Sequence, residues 1–205
     1  MTKHHLLVTL LCCSFLIGNA QRVQHHSYVT YYNASKHAPD SVRWDLTASM
    51  VGCGQTTRVD KFAQDPSLPN SALPDDYKNS GYDKGHMFPY ADAQCNATDA
   101  VECFYMTNML PQLHALNAGD WKTLETQERV WAKAQPIRII SGGFGSIGRL
   151  PNGENIPESC WKAIYVDHKW RAWVLPNKIT SKGHPFTTWE VRDIKRFDSI
   201  VGLHL

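Results

Sequence analysis

Beyond its N-terminal segment the sequence lacks any run of eighteen or more apolar residues, which excludes a membrane-spanning helix downstream. It contains no Cys-x-x-Cys and no His-x-x-x-His pair, so neither a common zinc finger nor a dedicated zinc-hydrolase site is written into it. His25, His26, His37, His114, His168 and His184 are therefore read as surface or core hydrogen-bonding residues, and the tryptophans as core. Excess charge is nearly absent. With 21 Lys and Arg against 19 Asp and Glu, the chain does not grip polyanions by global charge, and any site for them must be local. Internal repeats and low-complexity tracts are missing too. What remains is the composition of an ordinary globular protein, 42% hydrophobic and 20% charged, for which one domain is the default.

The first twenty residues differ from the rest. Lys3, His4 and His5 precede an apolar run from Leu6 to Ile17 and then Gly18-Asn19-Ala20, the layout of a secretory signal with a small-residue cleavage site after Ala20. The expectation is a signal peptide over 1–20, a single domain over 21–205, and a secreted or periplasmic product. Cleavage removes Cys12 and Cys13 and leaves four cysteines, an even number that suggests two disulfides in an exported chain. Four cysteines allow three pairings. The favoured one joins Cys95 to Cys103, which closes a short loop, and hence Cys53 to Cys160.

Along the mature chain, residues 41–46 read as the start of a strand, and residues 65–82 as a long ordered loop rich in Pro, Asn and Gly. Residues 103–109 form an apolar run suited to a buried strand. Residues 117–134 carry Trp121, Leu124, Val130 and Trp131 on roughly one face among Glu and Arg, as an amphipathic helix requires, with Pro136 just beyond. Residues 137–141, 161–167 and 170–175 are β-branched and aromatic, the last two flanking a hairpin turn. Strand and helix blocks without regular alternation predict an α+β fold, a central, mostly antiparallel sheet flanked by helices.

Chemistry concentrates in Asp83-Lys84-Gly85-His86, where an acid, a base and a histidine surround a glycine that lets the backbone turn tightly. Alone it is a weak signal, since a histidine beside an aspartate is as often structural. The sequel raises it: Asn108-Met109-Leu110-Pro111-Gln112, then Asn117-Ala118-Gly119-Asp120-Trp121 with Leu124-Glu125 and Arg129. In these three segments, in this order and spacing, the chain resembles the DNA/RNA non-specific endonuclease family, whose members share a ββα-metal (His-Me finger) site. The resemblance extends from about Tyr31 to Asp193.

The resemblance implies a metal-dependent endonuclease that hydrolyses DNA and RNA with little sequence preference and leaves 5′-phosphate ends. It makes His86 the general base, a role that suits a neutral imidazole. It makes Asn117 the one direct protein ligand of Mg²⁺, with Mn²⁺ able to substitute; sparse ligation fits a cation that gives up its waters reluctantly. Glu125, eight residues on and on a nearby helix face, would orient the metal's waters. Arg129, one turn further, would reach the phosphate and pair with Glu125, although without the motif the two read as a plain surface ion pair. Arg58 matches a second family arginine that steadies the phosphorane. Asp83 is placed among the catalytic residues, either orienting the metal's water shell or pinning the loop. Lys84, where the family has arginine, and Asn108 are placed among the substrate-contacting residues, with the Asn108 amide expected to tie buried backbone. The alternative is a nucleic-acid-binding module on the same scaffold with weak or no catalysis; a third is a phosphodiesterase for small substrates.

Overall fold

The computed structural model describes residues 20–54 and 56–203, so the expected signal segment before Ala20 lies outside the described residues. Among the described residues eleven strands and four α-helices follow in chain order. They are β1 (Ala20–Gln24), β2 (Tyr28–Asn33), β3 (Ala38–Leu46), β4 (Asp83–His86), α1 (Tyr90–Ala93), α2 (Ala97–Glu102), β5 (Met109–Gln112), α3 (Lys122–Ala134), β6 (Ile137–Phe144), β7 (Gly148–Arg149), β8 (Asn155–Ile156), β9 (Ser159–Val166), β10 (Lys169–Pro176), β11 (Glu190–Val191) and α4 (Ile194–Val201). The fold is α+β. A seven-stranded sheet runs in the order β1-β2-β3-β6-β9-β10-β11 with every neighbour antiparallel.

Strand alternation sends successive side chains to opposite faces, and both faces of the sheet's middle are covered. Ile139, Ile164 and Val166 point into the main core with Trp121 and Leu124, while Ile140, Trp161 and Ala163 pack with Phe197 of α4. Between β9 and β10, Asp167 and His168 both have positive φ (51° and 60°), the backbone a tight two-residue hairpin turn needs.

The segment between β3 and β6 leaves the large sheet and builds the functional region. There β4 and β5 pair antiparallel, Asp83 opposite Gln112 and His86 opposite Met109, and α3 follows, giving two strands and a helix. The glycine of the Asp83–His86 segment serves close approach and not a turn. Gly85 lies in extended β4, and a Cβ there would sit inside the Gln112 side chain.

Three expectations are corrected. Residues 103–109 are mostly not a strand: Cys103 caps α2, Tyr105 makes a single bridge to Ala63, Met106–Asn108 make a 3₁₀ turn, and the β5 ladder starts at Met109. The helix of residues 117–134 is interrupted. A widened turn over Leu116–Trp121 breaks at Gly119 (φ −102°, ψ −111°), where the backbone of Ser181 and Lys182 leaves no room for a Cβ, and regular α-helix begins at Lys122. Its buried stripe is Leu124, Glu128 and Ala132, four residues apart, whereas Val130 is exposed.

The cysteine pairing is the third. One disulfide joins Cys53 to Cys95 with Cα atoms 5.5 Å apart, and Cys103 and Cys160 are buried free thiols. Cys95 lies just before α2 and Cys103 caps its far end, and it is Cys53, from the loop after β3, that comes within disulfide reach of Cys95. Burial pushes the Cys160 thiol up to about 12 and Cys103 upward as well, as expected of inert core thiols.

Candidate active site

His86 ends β4 with its imidazole in an aromatic slot, Phe104 edge-on at 5.1 Å and Phe62 tilted at 5.6 Å. Burial, with the Arg58 cation nearby, pushes the ring down to about 3 against the pull of Asp60, which keeps it neutral at ordinary pH. Its Nε2 is buried without a protein partner. The backbone behind it is fixed: Trp121 Nε1 donates to His86 O (3.2 Å), and Met87 N donates to Asn108 O (2.9 Å).

Asn117 sits in the widened turn before α3. Its Nδ2 donates to Asp83 Oδ2 (2.9 Å), which commits the amino side of the amide and turns Oδ1 away from that carboxylate. The same Asp83 oxygen meets His114 Nδ1 at 2.8 Å, so Asp83 pins β4 to the turn that carries Asn117.

A cleft of about 510 Å³ collects these groups. Arg58, Asp83, Lys84, His86, Asn117, Glu125 and Arg129, scattered over more than seventy positions of sequence, all line it. Glu125 faces in from α3 despite the break at Gly119. Burial pushes its carboxyl up to about 7, Glu128 adds to this, and Lys162 and Arg129 pull the other way. Lys84 extends over the rings of Phe62 (5.0 Å) and Tyr77 (5.5 Å). Arg58 reaches in from the loop after Cys53, its guanidinium over Tyr90 (5.5 Å) and Phe104 (5.7 Å) and its Nε on Asp60 (2.6 Å).

Two sequence expectations fail here. Asn108 does not line the cleft; it is wholly buried, Oδ1 accepting from Phe88 N and Nδ2 donating to Phe88 O and Cys103 O, each at 2.8 Å. Its amide is used up in tying backbone, as the structural half of the reading foresaw, and nothing is left for a substrate. Arg129 pairs with buried Asp92 at 3.3 Å and not with Glu125.

Sequence reasoning also missed the support beneath the helix. Lys162 of β9 and Glu128 of α3 are both fully buried and meet at 2.9 Å, with the ammonium 4.7 Å from the Trp121 ring centre. By alternation Lys162 shares a face with Cys160 and Ile164, the face that meets α3. The signal was faint: a lysine at an inward position of a central strand, opposite a glutamate at a core position of the helix stripe.

The family model described as DNA/RNA non-specific endonuclease matches residues 13–204. The chain belongs to the DNA/RNA non-specific endonuclease family. Among its relatives in that family are a protein named nuclease from Nostoc, 35% identical over 146 residues (69% of this chain, 53% of the relative), and nuclease C1 from Cunninghamella echinulata, 30% identical over 194 residues (83% and 77%). The chain thus spans about half the length of the Nostoc relative. Among solved structures, the crystal structure of the EndoG/EndoGI complex superposes with a TM-score of 0.81 at 26% identity, over 90% of this chain and 84% of that one. Members of the family are metal-dependent nucleases.

Proposed function

We propose that this protein is a secreted, Mg²⁺-dependent endonuclease that hydrolyses DNA and RNA with little sequence preference and leaves 5′-phosphate ends. The observation that carries the reading is the convergence of the His86 imidazole and the Asp83-oriented amide of Asn117 on one cleft that also holds Arg58 and Arg129. Residues 1–20 serve as the export signal and the remainder as one nuclease domain. The Cys53–Cys95 bridge supports an oxidising destination.

The donor set suits a hydrated hard cation. Among the described residues no group of three or more His, Cys, Asp or Glu is arranged to hold a metal, which disfavours a zinc cage, whereas an amide oxygen beside two carboxylates fits magnesium bound largely through water. Asn117 would hold the ion and Glu125 its waters, and the ion when bound supplies charge stabilisation at the scissile phosphate. His86, neutral because it is desolvated, accepts the proton of the attacking water. Arg58 and Arg129 bind the phosphate oxygens from two sides, with Lys84 as an added point charge. Contacts to phosphate read no bases, so weak sequence selectivity follows.

Supercoiled plasmid with Mg²⁺ should pass to nicked, then linear, then fragmented DNA, and EDTA should stop it. His86→Ala should lower kcat by about 10²–10⁴-fold while DNA binding persists. Plasmid left intact under Mg²⁺ and Mn²⁺, or full turnover by the alanine variant, would reject the reading.

A further inference from the structure

Asp92 follows Pro89, Tyr90 and Ala91 of the cleft wall, lies buried behind it, and has no work in the proposed chemistry. It lies in α1, the single turn that follows His86-Met87-Phe88-Pro89, and its carboxylate is wholly buried. Both oxygens are occupied. Oδ1 lies 3.3 Å from Arg129 Nη1, and Oδ2 accepts from Trp44 Nε1 of β3 at 3.2 Å. Trp44 is in turn packed edge-on against Phe88, 5.5 Å between ring centres, two residues beyond His86. The other cation nearby, Lys162, is hydrogen-bonded to both oxygens of Glu128 (3.1 and 2.9 Å), so of the two it is Arg129 that contacts Asp92 directly.

A guanidinium carries five donors in a rigid plane. One edge of Arg129 is taken by Asp92, and Nη2 lies 3.5 Å from Thr126 Oγ1. Only 18% of its side chain is exposed, and Arg129 is one of the residues that line the cleft. The short segment that carries the imidazole therefore also carries the acid that aims the arginine.

We propose that Asp92, clamped by Trp44, is a positioning residue that fixes the Arg129 guanidinium relative to His86. The inference rests on the nuclease reading of this cleft. A guanidinium held in place before substrate arrives costs no reorganisation during reaction, whereas one free to swing does. An Asp92→Asn variant keeps the shape but sets an amide donor against either Arg129 or Trp44.

The test is a double-mutant cycle on a defined DNA duplex, with kcat, KM and the Mg²⁺ midpoint measured for wild type, Asp92→Asn, Arg129→Ala and the pair. Asp92→Asn should lower kcat/KM by roughly 10- to 100-fold, chiefly in kcat. The Mg²⁺ midpoint should stay put, because Asn117 is untouched. In the Arg129→Ala background the same change should cost less than about twofold. An equal loss in both backgrounds would make Asp92 a structural acid and overturn the inference while leaving the nuclease reading intact. An active Arg129→Ala enzyme would instead bring down the assignment of the cleft, and Asp92's part with it. Should Asp92→Asn fail to fold, Trp44→Phe decides: it removes the donor to Oδ2 together with one ring of the indole and should give a smaller loss that also vanishes without Arg129.

Discussion

The two arginines of the cleft stand on walls built in opposite ways. Arg129 projects from α3, a regular helix whose buried stripe is packed on the sheet, and is held by the wholly buried Asp92 with 18% of its own side chain exposed. Arg58 projects from an irregular segment and is 52% exposed, as is its partner Asp60 at 62%. What steadies the second wall is covalent and local: Cys53–Cys95 ties the segment to the end of α1, and Tyr90 OH donates to Thr56 O at 2.9 Å while its ring lies under the guanidinium. The same group is thus positioned once by the core and once by a tether. An exposed ion pair such as Arg58–Asp60 contributes little by itself, so the tether carries the second wall.

Truncating each arginine is the largest break. Arg129→Ala should lower kcat by about 10²–10³-fold, the usual loss for one preorganised donor at a developing charge, and Arg58→Ala by less, because a mobile group has less preorganisation to lose. Initial rates on one duplex settle the order. A larger loss at Arg58 would mean that the loop wall is the better organised of the two.

Opening the tether comes next. Closing a loop between residues 42 apart is worth about 4 kcal/mol in the chain-entropy account, so Cys53→Ser/Cys95→Ser should lower the Tm measurably. Activity should fall by up to about 10²-fold through misplacement of Arg58, and in an Arg58→Ala background the loss should nearly vanish. The Arg129 wall contains no bridge and predicts no such sensitivity. Equal loss in both backgrounds would show that the bridge supports the whole cleft. Thiol titration of the unreduced, denatured chain from residue 20 onward should find Cys103 and Cys160 alone; four thiols would abolish the tether.

The same contrast decides what could be read from sequence. The motif residues were legible through the family resemblance, and Arg58, His86, Asn117, Glu125 and Arg129 do share one cleft. Strands β6, β9 and β10 were legible through their β-branched and aromatic runs. Strands β1 and β2 were not, because the inward positions of β2 are Tyr28, Thr30 and Tyr32, whose polar ends hide the alternation. Asn108 looked like a site residue because motif membership does not distinguish contact with substrate from support of backbone. Cysteine pairing depends on whether the intervening chain coils, and α2, capped by Asn96 through Thr98 N and Asp99 N, holds Cys95 and Cys103 apart. The buried partners Glu128 and Lys162 carry only a faint local pattern and Asp92 none; tertiary packing reveals whom they meet.

The smallest effect lies behind the loop wall, under Lys84. Tyr77, over whose ring that ammonium rests, donates to Glu154 Oε1 at 2.6 Å, and Glu154 is fully buried. Burial, with Asp76 in the same direction and the Tyr77 hydrogen bond opposing, pushes the Glu154 carboxyl up to about 8. A raised folded value means that the folded state keeps a proton the unfolded chain releases near its ordinary value of about 4.3. The stability Glu154 contributes is therefore intact below that value and is lost as pH rises through about 8. Glu154→Gln keeps an acceptor for Tyr77 but cannot ionise, so denaturation midpoints measured across that window should fall with pH in the wild type relative to the variant. Parallel curves would mean that Glu154 ionises freely in the folded protein, and that the floor beneath Lys84 is wetter and looser than the core beneath Arg129.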